Sequence, residues 1–220
     1  HRYLHSFPTR RSSDLAIGAR ALLCHTAALF HDIGKLQRPE VFAENIDGVS
    51  PHEEMEPRES ARLIIEHVTH GLELARKHRL PRPFRSIIVE HHGCSLVRFF
   101  HAKAVKLAAE GEHSAIAEDD YRYPGPPPSS KESGIISLAD AVEAATRSMG
   151  DSSAGEIREV VRHLIAERVA EGEYAACPLT LAELGQIEAS FQGWLAARCH
   201  KRPAYPQAEA VVSAQGAGVG

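Results

Sequence analysis

The residues in this chain best equipped for chemistry are histidines and aspartates. The run Phe30-His31-Asp32-Ile33-Gly34-Lys35 puts an imidazole beside a carboxylate. Two adjacent side chains reach one ion only where a helix ends or bends, and Gly34 directly after them is a suitable terminator. Imidazole and carboxylate together suit Mn, Fe, Zn or Ni more than Ca. A carboxylate has two oxygens, so Asp32 can bridge two ions about 3.5–4 Å apart, as two-metal phosphodiester cleavage requires.

Three further features join this pair. Glu90-His91-His92-Gly93 closes a predicted helix. Neighbouring side chains on a regular helix point about 100° apart, so both rings serve one site only where the helix end relaxes, which Gly93 permits. His67 lies on the inner half of an amphipathic segment, one turn from Ile64 and Gly71. Asp140 interrupts the apolar run Ser137-Leu138-Ala139-Asp140-Ala141-Val142. A carboxylate there is costly to bury unless something positive compensates, and a metal would do so. Each feature has an ordinary explanation when taken singly. An HD dipeptide is common, a helix-end His pair is usually solvated, and a buried Asp more often meets an Arg or a cap. The signal is their order: HD, then His, then HH, then Asp, on four successive helical segments.

The elements that must position these residues read as helices. Ala16 to Asp32 is rich in Ala and Leu. Residues 37–57 carry Pro39, Gly48, Pro51 and Pro57 and form a loop-like insertion. Glu59 to Lys77 is amphipathic, with Ile64, Val68, Leu72 and Ala75 at helical spacing. Helices follow at about Phe84 to His92 and Leu96 to Ala109. The stretch YRYPGPPPSS forbids regular structure near residues 118–130. Capping-box patterns at Ser129/Glu132, Ser153/Glu156 and Thr180/Glu183 then open the last three helices. There are no repeats and no run of alternating strands, so the expected class is all-α.

Composition narrows the function classes. The chain has 220 residues, 43% of them apolar, and a net charge of −4. That charge argues against a nucleic-acid partner held by bulk electrostatics, but not against an anionic substrate met by local cations. The four cysteines, Cys24, Cys94, Cys177 and Cys199, form no CxxC pair and read as reduced thiols of a cytoplasmic domain. No apolar run reaches the length of about 18 residues that a membrane span needs.

The ordered motifs resemble the HD hydrolase superfamily. More narrowly they resemble the cytosolic HD domain of seven-transmembrane HD cyclic di-AMP phosphodiesterases. The resemblance is carried by HDIGKLQRPEVFAEN, SPHEEMEPRESARLIIEHVTHGLELARKHRLP, IIVEHHGCSLVRFFHAKA and DYRYPGPPPSSKESGIISLADAVEAATRS. It implies an HD-domain helical bundle over residues 16–206 with two divalent metal ions, Mn or Fe. His31, Asp32 and Asp140 would hold one ion, and Asp32, His67, His91 and His92 the other, with Asp32 bridging. The implied reaction opens one phosphodiester of cyclic di-AMP to give pApA. Lys35 would contact a phosphate, although a solvated lysine fits the sequence equally. Arg122, in the proline-rich loop, would contact phosphate or base. His52 reads as an exposed loop histidine, and Cys94 as a small core residue.

The family pattern has a further His about one helix upstream of the HD pair. Residues 1–15, HRYLHSFPTRRSSDL, have no helical period and look like an adapter-derived, non-native scar. His5 lies too close to His31, across Pro8, to take that role. The chain therefore reads as N-terminally truncated, from a parent attached to the membrane through its missing N-terminal region, with room for a homodimer. Residues 207–220 read as a disordered tail. The competing expectations are an HD enzyme for cyclic di-GMP or another nucleotide, and a non-catalytic sensory module. The residues after His92, GCSLVRFF, lack the Gly-Tyr-Pro motif of the cyclic di-GMP branch, and all the ligand positions after His31 are filled.

Overall fold

The helical periodicity of the sequence becomes seven α-helices and no strand among the described residues. These are residues 17–46, 48–111, 116–147, 149 and 152–199 of the computed structural model. In chain order the helices are α1 (Ala21–Phe30), α2 (Pro57–Lys77), α3 (Arg82–Glu90), α4 (Arg98–Ala109), α5 (Lys131–Arg147), α6 (Ala154–Ala170) and α7 (Leu181–Cys199). Short 3₁₀ turns occupy Ile33–Gln37, Pro39–Val41, Ala43–Asn45 and Glu118–Tyr121. The all-α expectation holds. The expected scar at 1–15, His5, and the tail at 207–220 lie outside the described residues. No helix among the described residues is long and apolar enough to cross a membrane.

Helix boundaries follow local chemistry. Pro57 sits in the first turn of α2, where its missing N–H costs nothing. Ser153 and Glu156 form the expected reciprocal capping box of α6. Thr180 and Glu183 cap α7 in the same way: the Glu183 N–H donates to Thr180 Oγ1 at 3.2 Å and the Thr180 N–H to Glu183 Oε2 at 2.9 Å. The cap of α5 differs from expectation by one residue. Ser130 accepts from the Ser133 N–H at 3.1 Å, and Ser133 Oγ accepts from the Ser130 N–H at 3.1 Å. Ser129 and Glu132 have tertiary partners instead. Ser129 donates to Glu90, and Glu132 accepts from the backbone and side chain of Arg20.

Helix α5 is the centre of the molecule. Its residues Glu132 to Ala139 are all buried, so it is covered on every side. Ile135, Leu138 and Val142 pack with Ile157, Val161 and Ile165 of α6 and with Leu184, Ile187, Phe191 and Leu195 of α7. Ile136 meets Ala27 of α1 and Ile87 of α3. A separate small core joins Ala61 of α2 to Phe100 and Ala104 of α4 and to Tyr121. Val41 and Phe42 of the expected insertion pack onto α2 against Leu63. His52 is buried, contrary to the expectation of an exposed loop histidine. Its Nε2 donates to the Val41 carbonyl at 2.8 Å and its ring packs on Phe100 at 4.8 Å.

Gly34 does a different job from the one expected. It does not end α1 through a left-handed residue, because the chain passes from α1 into a 3₁₀ turn at His31 and Asp32. It is instead a point of contact between backbones. A Cβ at Gly34 would lie 1.8 Å from the His67 carbonyl oxygen and 2.5 Å from the Gly71 nitrogen. The clashing atoms are main chain of α2, so no rotamer change relieves them. Gly34→Ala is expected to destabilise the domain by about 2–3 kcal/mol or more, read as a lower midpoint in urea unfolding. A midpoint equal to that of the unsubstituted chain would refute the contact.

Candidate metal centre

Four separate segments deliver the site. At the end of α1, His31 keeps α-helical angles while Asp32 has φ −100° and ψ 14°, and a 3₁₀ turn begins at Ile33. This change of winding turns the adjacent His31 and Asp32 side chains toward one point. The Gly34 contact then lays that point against α2 at His67. At the end of α3, His91 is still helical, and Gly93 turns the chain with φ +54°. Asp140 comes from α5. Its neighbours Ala139 and Ala141 are buried, and its own side chain is half-buried.

The six side chains expected to be ligands meet. Asp32 Oδ1 lies 3.3 Å from His67 Nε2 and 3.6 Å from His91 Nε2. Asp32 Oδ2 lies 3.4 Å from His31 Nε2. Asp140 reaches His31 Nε2 at 3.8 Å through Oδ1 and His92 Nδ1 at 3.5 Å through Oδ2. Two donor sets result, Asp32–His67–His91–His92 and His31–Asp32–Asp140. Within each, one ligand atom per residue lies within 4.8 Å of the others. They share Asp32.

The histidine tautomers test whether these residues fit a cation. His31 Nδ1 lies 2.9 Å from the Ala28 carbonyl, His67 Nδ1 2.6 Å from Ile64, and His91 Nδ1 2.8 Å from Ile88. A carbonyl only accepts, so each Nδ1 carries a hydrogen, and wherever the ring is neutral its Nε2 lone pair turns inward. His67 Nε2 and His91 Nε2 lie 3.3 Å apart, and with both rings neutral they face each other as two lone pairs. Lone pairs held this close repel unless a proton or a cation lies between them. Asp32 Oδ1, His67 Nε2 and His91 Nε2 lie 3.3–3.6 Å from one another, close enough for one small cation to touch all three. Backbone-clamped imidazoles are also the usual outer support of metal-bound histidine. The donor set fits a divalent ion of the N/O-preferring kind.

The electrostatics agree. Burial alone would raise the pKa of Asp32, but the charges of His31 and Lys35 outweigh it and hold the carboxyl well below its ordinary value. Burial likewise opposes ionisation of Asp140, and its pairing with His31 overcomes it. Both are carboxylates at any physiological pH. Burial, and for His92 also the neighbouring His91, pushes the pKa of His91 and His92 down, so these rings are neutral.

Two residues expected at the site have other partners in the structure. Lys35 Nζ lies 2.7 Å from Asp32 Oδ2 and 2.8 Å from Glu44 Oε1. It therefore touches the centre through Asp32. Arg122 binds Glu118 Oε1 and donates to the Cys94 carbonyl at 3.0 Å. Cys94 is half-buried. Sequence reasoning missed Tyr123, whose ring stacks on His92 at 4.1 Å, and Glu90, which is buried directly before the His pair. Burial pushes the Tyr123 phenol well up, so it stays protonated.

Comparison with known proteins fits this geometry. The HD domain family model matches residues 11–145, a stretch that includes all six side chains. A Bacillus subtilis (strain 168) protein named Cyclic-di-AMP phosphodiesterase PgpH is 39% identical over 210 residues, covering 94% of this chain and 29% of that protein. A Listeria monocytogenes protein of the same name is 35% identical over 191 residues, covering 86% of this chain and 26% of its own length. The crystal structure of the Listeria PgpH HD domain in complex with cyclic-di-AMP superposes with a TM-score of 0.81 at 32% identity. That match covers 89% of this chain and 88% of the solved one. The chain thus spans less than a third of the length of these curated relatives. With the family model matched across the whole donor cluster and the fold shared with a solved HD domain, the chain belongs to the HD domain family.

Proposed function

We propose that this domain is a metal-dependent phosphodiesterase that opens cyclic di-AMP to linear pApA. The observation that carries the reading is the pair of donor sets sharing the Asp32 carboxylate. It is supported by the likeness to an HD domain solved with cyclic-di-AMP. In this reading two ions, Mn or Fe, are held, one by His31, Asp32 and Asp140 and the other by Asp32, His67, His91 and His92. When bound, the ions would acidify water at neutral pH and neutralise charge on the phosphoryl oxygens. The side chains do the positioning. The three backbone-clamped imidazoles keep their lone pairs aimed without rotational search. Asp32, ionised and shared, fixes the separation of the two positions.

Lys35 holds Asp32 and adds a positive charge where an anionic substrate arrives. In the same reading Arg122 contacts the substrate by exchanging Glu118 for a phosphate or base. The domain would belong to a longer, membrane-attached protein, with this part on the cytosolic side.

The direct assay is hydrolysis of cyclic di-AMP and cyclic di-GMP by the purified chain in Mn²⁺. Product pApA should form faster than the guanine product. Chelation should abolish turnover and added Mn²⁺ restore it. Asp32→Ala should lower turnover by about 100-fold or more, since even outer-shell changes cost 10–100-fold. Turnover that survives chelation would sink the metal role, and silence with both ions bound would sink the substrate. Lys35→Gln should reduce kcat/KM by about 10-fold or more, the scale of one charge-assisted hydrogen bond; an unchanged kcat/KM would confine Lys35 to structure. Binding should also be visible as stability. At a Mn²⁺ concentration 100 times its Kd, the folded state gains about 2.7 kcal/mol. The thermal midpoint of the chelator-stripped chain should therefore rise on Mn²⁺ addition, and that of Asp32→Ala should rise much less.

A further inference from the structure

The four histidines of the centre are not held alike. His31, His67 and His91 each have Nδ1 fixed by a carbonyl three residues earlier. Among the described residues, no carbonyl does this for His92. Its Nδ1 faces Asp140 Oδ2 at 3.5 Å, across the site. The ring is held by stacking instead. Tyr123 stacks on it, with centroids 4.1 Å apart and planes 24° apart. His91 lies tilted against it, at 4.0 Å and 41°. His67 meets it edge-on at 5.1 Å and 85°.

Tyr123 is itself held in place relative to the His pair. Its N–H donates to the Ser95 carbonyl at 3.0 Å, and the Val97 N–H donates to the Tyr121 carbonyl at 2.8 Å. Arg122 ties the same loop to the Cys94 carbonyl. At the loop's far end, Ser129 binds the buried Glu90 carboxylate through its N–H at 2.9 Å and its hydroxyl at 2.8 Å. The loop from Tyr121 to Ser129 is thus anchored at both ends to the segment 90–97 that carries His91 and His92. Its proline content keeps it stiff between those anchors.

We propose that Tyr123 is a positioning residue that orients the His92 ring for ion binding, in place of the carbonyl clamp of the other three histidines. The proposal rests on the metal reading above. The aromatic face acts, not the hydroxyl: stacked rings prefer a narrow range of offsets, which fixes the imidazole plane. Removing the ring frees His92 to rotate, and the ion bound by Asp32, His67, His91 and His92 loses one preoriented donor. The ion at His31, Asp32 and Asp140 does not use that ring.

The test is calorimetric titration of the chelator-stripped full chain with Mn²⁺, with the apo fold followed by circular dichroism. The unsubstituted chain is run beside Tyr123→Phe, Tyr123→Leu, His92→Ala, His67→Ala and the double variant Tyr123→Leu/His92→Ala. The binding step that His67→Ala removes identifies the ion concerned. Tyr123→Phe should leave both steps within about twofold, because the ring is kept. Tyr123→Leu should weaken that step by about 10-fold or more, the scale of an outer-shell residue, and spare the other. In the double variant, Tyr123→Leu should add nothing to His92→Ala, because it acts through that ring.

Equal affinities in Tyr123→Leu and the unsubstituted chain overturn the proposal. So does a loss in Tyr123→Phe as large as in Tyr123→Leu, which would assign the role to the hydroxyl. Additive losses in the double variant, or an unfolded apo Tyr123→Leu, would make the ring ordinary packing and overturn it too. An unsubstituted chain that takes up no ion overturns the metal reading itself. If that chain binds two ions and Tyr123→Leu binds them equally well, only the role of Tyr123 falls.

Discussion

Everything in the centre depends on one electron-rich point, the carboxylate of Asp32. Three imidazole nitrogens and one ammonium approach its two oxygens at 2.7–3.6 Å. The backbone carbonyls hold hydrogens of His31, His67 and His91 on their outer nitrogens, so a ring that is neutral offers a lone pair on its inner face. A buried cluster of acceptors is unfavourable when nothing positive lies among them. Lys35 answers part of that demand. His31 answers part as well, since the charge of Asp32 and the pairing with Asp140 outweigh burial and raise its pKa, favouring its charged form. Neither sits between His67 and His91. The protein therefore carries a site whose own chemistry calls for cations, built at a cost that its core must offset.

That offset comes from how the segments are braced. Helix α5 is enclosed by α1, α3, α6 and α7 through Ile135, Ile136, Leu138 and Val142, all essentially inaccessible to solvent. Asp140 is one turn from Ile136 on this rigid element, so its position is inherited from packing. Asp32 is placed by the Gly34 contact with α2, and the His pair by the positive φ of Gly93. A Cβ at Gly93 would lie 2.1 Å from Glu173 Oε2, so that glycine serves both the turn and the close approach. The six side chains thus come from four separate segments, and none of these segments could be moved without separating the donors.

The sequence disclosed the six clustered side chains because their residue types are expensive where they stand. An aspartate in an apolar helix and a His pair beside a glycine are visible without coordinates. It also disclosed the helices, since Ile157, Val161 and Ile165, or Leu184, Ile187 and Phe191, recur at helical spacing. Tertiary partners were not legible. Ser129 and Glu132 have the spacing of a capping box, yet Glu90 and Arg20, 39 and 112 residues away, take them. Gly34 has the look of a helix stop, but its constraint comes from a carbonyl on another helix. His52 sits among prolines and acidic residues, and nothing local reveals that Phe100 covers it. Tyr123 lies in a proline-rich loop, and only the fold brings its ring onto His92.

Charge explains how an acidic chain could serve an anion. The net charge of −4 would repel a dinucleotide if it were spread evenly over the site. The side-chain cluster itself carries two negative charges, from Asp32 and Asp140, with His91 and His92 kept neutral. In the proposed loaded state, two divalent ions bring four positive charges against those two. The local sign then inverts, and Lys35 adds to it from one side. Glu44 tempers that lysine, and Arg147 lies 3.3 Å from Glu44 in turn, so the positive field is graded outward rather than left bare. Because opposite charge at close range acts far more strongly than the distant, screened surface, the ions decide what the site attracts. The neutral histidines matter here as much as the carboxylates. A set richer in carboxylates would hold the metals more tightly and cancel the field that draws the substrate.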